Sequence, residues 1–431
     1  MGVNCSSRIE EYMNEVCGHI KFKEVHKEIK LELESHIYEI VDEYMNNGLS
    51  KEAAVEKAIL QMGDSVTVGK QLNSTHKVKP DLGILVTVAV LLSVGLIALY
   101  SIEAVVNSYY RHASFLFTKT VVITIAGIAI GSLMYFFDYK KLKPFCKHIY
   151  LLNLLIITFI TITGNRVRGI GYLTFRDITI NYIYVSPWIF VISYAGILKE
   201  WEWDKFINSL LGIALLLLPF MIYLSNAGAV AVIYFTTLIV VAVASRVNLI
   251  NIIMLMGCPL VVGMFFVMGN EYRIQRFIAM LYYKADTLGT GYMYVQCKEA
   301  IKSAGFFGKG FKAVLQVPET KTDFIFTYIV YSFGWIAGII VVALAVLFII
   351  RMVKVANMVK DSYGKIMIKG FIAIFGVQFV WNVLMNLGLA PIVGVGLPFI
   401  SYGGSQLMAS MAVVGIISSI FRRKNLAAGI A

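Results

Sequence analysis

The sequence predicts an all-α polytopic membrane protein of about ten transmembrane helices with a small N-terminal cytoplasmic helical domain. Composition is the first reason. Mean hydropathy is +0.74, 58% of residues are hydrophobic and 15% are charged, against about 25% charged in an ordinary soluble domain. Apolar runs of membrane-crossing length recur from residue 82 to residue 421. Charge is also segregated: residues 1–80 hold 10 basic and 13 acidic groups, residues 81–431 hold 28 and 13. An acidic head therefore precedes a basic membrane body.

The head, residues 1–80, reads as three or four short amphipathic helices. Ile9, Tyr12, Met13 and Val16 recur at helical spacing, and so do Val25, Ile29, Leu33, Ile37, Ile40, Val41 and Tyr44. Asn47-Gly48-Leu49 ends one helix, Ser50 suits the N-cap of the next, and Gly63 suits its C-terminal stop. His19, His26 and His36 sit on charged faces and read as solvated rather than metal-binding. The N-terminus is polar and charged, so no cleavable signal peptide is expected. The five cysteines, Cys5, Cys17, Cys146, Cys258 and Cys297, lack paired spacing and indicate neither a disulfide framework nor a zinc site.

Ten spans follow, near 82–101, 114–136, 148–163, 183–198, 206–224, 227–244, 248–268, 324–350, 366–386 and 403–421. None of them contains an acid. With the N-terminus inside, one set of connections carries Lys140, Lys141, Lys143, Lys147, Lys199, Lys205, Arg246, Arg351, Lys354, Lys360, Lys365, Lys369, Arg422, Arg423 and Lys424. The short connections on the other side carry only Arg111, Arg166, Arg168 and Arg176. The positive-inside rule then puts both termini in the cytoplasm and the long loop 269–323 outside. Basic charge of this kind suits topology and membrane lipids. No basic stripe with interleaved aromatics lies in the soluble part, so nucleic acid is not an expected partner.

Topology shortens the list of chemical groups. Among the acids of the membrane body, only Glu103, Asp177, Glu271, Asp286, Glu299, Glu319 and Asp323 fall outside. Asp323 stands at the start of an apolar span, before Phe324-Ile325-Phe326, where partial desolvation would strengthen a carboxylate as a base. An N-cap role is the alternative. Arg273, Arg276, Lys302, Lys309 and Lys312 make loop 269–323 cationic and suited to phosphate or diphosphate. Gly305-Phe306-Phe307-Gly308-Lys309-Gly310 looks like a phosphate-cradling run. Lys119 lies inside the second span, either snorkelling to the interface or facing a cavity. From Pro391 to Ser405, the prolines Pro391 and Pro398 with Gly394, Gly396, Gly403 and Gly404 argue against continuous helix. Such backbone at membrane depth needs burial or water, so this segment is expected to re-enter and line a cavity beside Asp323.

These residues resemble the SEDS family (shape, elongation, division and sporulation), the family of FtsW, RodA and SpoVE. The likeness covers about 85–424 and is carried by Arg273, Arg276-Phe277, Gly291-Tyr292, Gln296, Ala300 to Gly305 and Gly308-Lys309-Gly310. It continues through Pro318-Glu319, Thr322-Asp323-Phe324-Ile325-Phe326, Gln378, Asn382, Asn386, Gly388, Pro391, Gly394 and the run Pro398 to Ser405. Residues 1–80 resemble the helical prefix domain found ahead of some bacterial permeases and signalling membrane proteins; residues 82–424 would be the SEDS-like ten-span domain. The resemblance implies Asp323 as the catalytic residue. It further implies Lys119, Arg273, Arg276, Lys309, Glu319, Lys321, Pro398, Ser401, Gly403, Gly404 and Ser405 as substrate-binding residues. Departures exist: Lys119-Thr120 stands for an Arg-Gln pair, Lys321 for a His, Val185-Ser186-Pro187 for Pro-Ser-Glu, and Ser225-Asn226-Ala227 for Gln-Pro-Asp.

The activity so implied is that of an inverting glycosyltransferase polymerising lipid II into glycan strands on the outer face of the bacterial cytoplasmic membrane. It would serve elongation, division or sporulation beside a class B penicillin-binding protein. Asp323 would deprotonate the acceptor hydroxyl, with loop cations and a divalent metal ion as stabilisers of the undecaprenyl diphosphate leaving group. The rival classes are a lipid II flippase and a non-catalytic scaffold that recruits a cell-wall synthase.

Overall fold

The computed structural model describes residues 5–75, 81–109, 115–167, 170–175, 178–284, 286–287 and 289–424. Arg111, Arg168, Arg176 and Asp177 lie outside them. The chain divides into two compact units: Met1–Pro80 with Val359–Asp361 and Arg422–Ala431, and Asp81–Met358 with Ser362–Phe421.

In the first unit, α1 (Cys5–Gly18), α2 (His26–Asn46), α3 (Lys51–Met62) and α4 (Ser65–Thr75) enclose one apolar core. The stripes read from the sequence supply it: Ile9, Val16, Val25, Ile29, Ile37 and Val41 are buried together with Ala54, Val55 and Ala58. Ser50 occupies the N-cap of α3 without a side-chain cap bond, and Gly63 ends that helix at φ +91°. There the Gly63 carbonyl accepts from the Tyr12 hydroxyl at 3.0 Å.

The second unit is a helical bundle: α5 (Leu82–Tyr109), α6 (Leu116–Phe136), α7 (Cys146–Thr163), α8 (Tyr182–Glu200), α9 (Phe206–Asn226), α10 (Gly228–Ala244), α11 (Leu249–Met268), α12 (Glu271–Leu281), α13 (Tyr292–Ser303), α14 (Ile325–Met358), α15 (Ser362–Asn386) and α16 (Gly404–Arg422). Among the described residues nine helices are long and apolar enough to cross a membrane, and α10, with 17 residues, is a shorter apolar tenth. The protein is an all-α polytopic membrane protein. α10 and α15 pack together at its centre, and α7 with α8, α14 with α15 and α5 with α14 pack around them. α6 and α11 leave most of their apolar surface outward, as lipid-facing helices do.

Three features depart from the expected spans. A three-stranded antiparallel sheet, β1 (Asn165–Val167), β2 (Ile170–Phe175) and β3 (Ile178–Ile180), joins α7 to α8. α5 runs on to Tyr109, so Glu103 lies within a span, where its carboxylate accepts the Phe117 N–H at 2.5 Å at the start of α6. An acid near a helix N-terminus satisfies an orphan donor and the helix dipole together. Finally, α14 is broken at Gly334, whose φ of 86° and ψ of 174° suit glycine alone.

That break redefines the glycine run. The Lys309 and Gly310 N–H groups donate to the Tyr331 and Ser332 carbonyls, both at 2.9 Å, and the Trp335 N–H donates to the Gly305 carbonyl at 3.1 Å. A Cβ on Gly334 would collide with Phe306, and one on Gly308 with Ser332. The run 305–310 thus docks backbone to backbone on the broken helix. The Lys309 and Gly310 N–H groups are thereby engaged in backbone bonds and are not themselves available to cradle a phosphate.

Candidate functional site around Asp323

Two irregular segments meet at one end of the bundle. The first, residues 319–324, is a tight turn in which the Thr322 and Phe324 N–H groups both donate to the Glu319 carbonyl at 3.1 Å. The Thr322 hydroxyl donates to Glu319 Oε2 at 2.9 Å. Glu319 adopts φ +58°, a left-handed conformation that costs a non-glycine residue about 1–2 kcal/mol. The first helical bond of α14 runs from the Tyr328 N–H to the Phe324 carbonyl, so Phe324 occupies the cap position and Asp323 precedes it.

The second, residues 387–403, links α15 to α16 without helix. It is nonetheless deep. A Cβ on Gly95, midway along α5, would lie 2.8 Å from the Ile400 Cα, and Val395, Leu397, Phe399 and Ile400 are buried. Backbone at that depth needs partners, and side chains supply them. Trp381 Nε1 donates to the Pro391 carbonyl at 3.2 Å, the Ile392 N–H donates to the Tyr294 hydroxyl at 3.0 Å, and Asn382 Nδ2 donates to the Val395 carbonyl at 2.6 Å. The Leu397 N–H donates to Ser401 Oγ at 2.7 Å.

Ser401 also stitches the two segments. Its hydroxyl donates to the Thr322 carbonyl at 2.6 Å, and the Tyr402 N–H donates to the Lys321 carbonyl at 2.8 Å. From α15, Asn382 and Asn386 both donate to the Asp323 carbonyl at 3.0 Å. The half-buried Asp323 side chain looks onto Gly394, where a Cβ would lie 3.8 Å from Asp323 Oδ2 and 3.3 Å from the Tyr184 hydroxyl. Tyr184, on α8, donates to the Gly394 carbonyl at 2.5 Å. A carboxylate is thereby presented at a wall made of the exposed Gly394 and the buried Tyr184 phenol, on a clamped backbone.

The residues singled out from the sequence separate into groups. Glu319, Lys321, Asp323, Pro398 and Ser401 come together, with the Lys321 ammonium 5.8 Å from the Tyr402 ring centroid. Ser401 is engaged in backbone support and Pro398 is buried, so both shape the turn. Gly404 packs against Ile123 of α6, one turn from the exposed Lys119, and Ser405 accepts the Asn181 N–H at 3.1 Å. Neither Gly403 nor Gly404 has positive φ; Gly388 and Phe399 carry it in this segment. Arg273 is turned onto Phe266, 3.4 Å from the ring centroid, and donates to its carbonyl at 2.8 Å. Arg276 acts electrostatically on the Tyr294 hydroxyl, which burial nevertheless raises above its ordinary pKa. Lys309 lies exposed in the docked run.

Sequence reasoning missed Tyr184, Tyr294 and Lys298, and gave Asn382 and Asn386 no role beyond carrying the family resemblance. Lys298 packs its stem against Gly388 and sets its ammonium 3.9 Å from the Tyr283 ring centroid. A signal for the asparagines existed: Gln378, Asn382 and Asn386 repeat every four residues in an apolar helix and are 1%, 0% and 0% exposed. Among the described residues no three His, Cys, Asp or Glu side chains converge as a metal site would require.

The cell cycle protein profile of FtsW, RodA and SpoVE matches residues 82–426. The chain is 28% identical over 364 residues to the stage V sporulation protein E of Bacillus subtilis, covering 81% of this chain and 99% of that one. It is 27% identical over 365 residues to a probable peptidoglycan glycosyltransferase FtsW of Trichlorobacter lovleyi, covering 80% and 94%. A solved chain described under structural coordination of polymerization and crosslinking by a peptidoglycan synthase complex superposes with a TM-score of 0.67 at 20% identity, covering 81% and 99%. The chain belongs to the FtsW/RodA/SpoVE family of cell cycle proteins.

Proposed function

We propose that this protein is a peptidoglycan glycosyltransferase that polymerises lipid II, with Asp323 as its general base. The observation that carries this reading is the clamped backbone of Asp323. Two asparagine amides and the Ser401 stitch fix the main chain on either side of the carboxylate. A base held this way is positioned before substrate arrives, and positioned proton transfer is worth on the order of 100- to 10,000-fold in rate. Family membership and relatives named as peptidoglycan glycosyltransferases support the same reading.

In the proposed step the acceptor sugar hydroxyl loses its proton to the Asp323 carboxylate as its oxygen attacks the donor's anomeric carbon. The bond to the undecaprenyl diphosphate breaks with inversion, and the diphosphate leaves with the bonding electrons. Lys321, within the first segment, and Lys298, whose stem packs on Gly388 of the second, would offset its charge. An apolar groove of about 440 Å³, lined by Phe220, Phe235, Pro259, Leu260 and Phe277 among others, has the character needed for an isoprenoid chain.

The positive-inside distribution supports cytoplasmic termini and an outward-facing Asp323 site in the bacterial cytoplasmic membrane. A neighbour solved in a peptidoglycan synthase complex supports a partner synthase, for which a class B penicillin-binding protein is our proposal. We further propose that residues 1–80 form a separable cytoplasmic module joined to a ten-span domain over 82–424, with 269–323 as its large extracellular loop. Deleting residues 1–80 should then leave polymerisation by the purified protein intact, and its loss would argue against modularity.

The test of the activity is incubation of the purified full chain in liposomes with fluorescent lipid II, with and without partner, followed by gel separation of glycan strands. Strands are expected. Transfer of lipid II across the bilayer without strands would favour a flippase, and neither outcome a scaffold.

A further inference from the structure

At the end of the bundle opposite Asp323, three helix ends converge on one cavity. α15 fixes the geometry, because Asn386 at its C-terminus bonds to Asp323 while Ser362 at its N-terminus lines the cavity. At 1.5 Å per residue the two ends are roughly 36 Å apart. The cavity has a volume of about 420 Å³ and is lined by Lys199 at the end of α8, Ser245 and Arg246 after α10, and Ser362, Lys365 and Lys369 from α15. Among the described residues no carboxylate lines it. Among the described residues none of its four cations is in an ion pair, and the nearby Glu200 is taken by Lys143 at 3.2 Å.

Two details exceed what membrane topology demands of basic residues. Arg246 stands at φ +59°, the left-handed position after a helix that glycine ordinarily fills. It is held there by the Val247 N–H donating to the Ala242 carbonyl and its own N–H donating to Val243, both at 3.1 Å. Retention of an arginine in a conformation that disfavours it points to a use for its guanidinium. Beside it the Ser245 hydroxyl is buried with no hydrogen-bond partner, and that residue lines the same cavity. A charged wall from two other helix ends and an idle hydroxyl complete an anion-binding donor set, to which the N-terminus of α15 adds its dipole.

We propose that this cavity binds a phosphate-bearing anion, supplied by the headgroup of an anionic phospholipid such as phosphatidylglycerol. The site rests on nothing assumed about Asp323. Its location at a helix-bundle end rich in Lys and Arg, and a lining of four cations that suits an anion, favour the lipid as the source.

The test uses the purified full chain in neutral detergent with three probes: short-chain phosphatidylglycerol, short-chain phosphatidylcholine and inorganic phosphate. Thermal stability and retained lipid by native mass spectrometry are the readouts. Phosphatidylglycerol should raise the melting temperature by several degrees and be retained, while phosphatidylcholine does neither, since a ligand bound only to the folded state stabilises it. Arg246→Gly should melt at or above the wild-type temperature without lipid, because glycine suits that backbone, yet need at least tenfold more phosphatidylglycerol for the same shift. Lys365→Gln with Lys369→Gln should weaken the response similarly; if that variant fails to fold, Arg246→Gly decides. An equal response to inorganic phosphate would overturn the lipid as source. An equal response to phosphatidylcholine, or an unchanged response in Arg246→Gly, would overturn the site.

Discussion

Asn386 of α15 holds the Asp323 turn and the first turn of α14 in one grip. Its amide donates to the Asp323 carbonyl at 3.0 Å while its oxygen accepts from the Thr327 N–H at 3.1 Å and the Thr327 hydroxyl at 2.6 Å. The residue is wholly buried. The position of the carboxylate is therefore set by a side chain that cannot itself reach substrate.

Replacing Asn386 with Ala should leave these groups unsatisfied at a cost of about 1–3 kcal/mol for a buried group. The effect on chemistry should exceed the effect on affinity. Steady-state kinetics on lipid II should show a fall in kcat with KM within about threefold, in line with lost positioning. Unaltered kcat in a folded Asn386→Ala protein would remove the positioning role.

Gly394 offers a complementary probe from the substrate side. Its added methyl would fall at ordinary contact distance from Asp323 Oδ2, and 3.3 Å from the Tyr184 hydroxyl. Gly394 is exposed and has no positive φ, so Gly394→Ala should fold normally. Polymerisation should fall, and Gly394→Val should fall further, as each side chain fills the space before the carboxylate. Equal activity in all three proteins would show that substrate does not pass this wall.

Labelling can locate the substrate at the start of α16. A Cβ on Gly403 meets nothing nearer than 3.9 Å, so Gly403→Cys is tolerated by the fold. The native Cys297 should stay silent, because burial pushes its thiol up to about 12 and keeps it protonated. A membrane-impermeant maleimide should label Gly403→Cys, and added lipid II should slow that labelling. Labelling indifferent to lipid II would place the substrate elsewhere.

Much of the architecture was legible because it follows from hydropathy. The ten apolar runs became ten helices, and the stripes of residues 9–44 became the core of the first unit. The Asp323 turn and the segment from Pro391 to Ser405 were legible through Gly, Pro and charge at the edge of apolar runs. What stayed hidden depends on pairing across the chain. Gly334 sits in an apolar run that gives no local sign of a break, since the partner that completes its backbone is the distant run 305–310. The short strands of 165–180 alternate too briefly to announce themselves. The same holds for Tyr184 and Tyr294, whose roles exist only because α8 and α13 approach the segment 387–403.

Removal of a proton by Asp323 is the step on which the proposed polymerisation depends. Asp323→Asn keeps the size of the side chain and leaves the backbone carbonyl available to Asn382 and Asn386, but removes the basicity. Glycan strand synthesis from fluorescent lipid II by purified Asp323→Asn, at matched melting temperature, measures this directly. The expected result is a loss on the order of 100-fold or more. A folded Asp323→Asn protein that retains most wild-type activity would contradict the assignment.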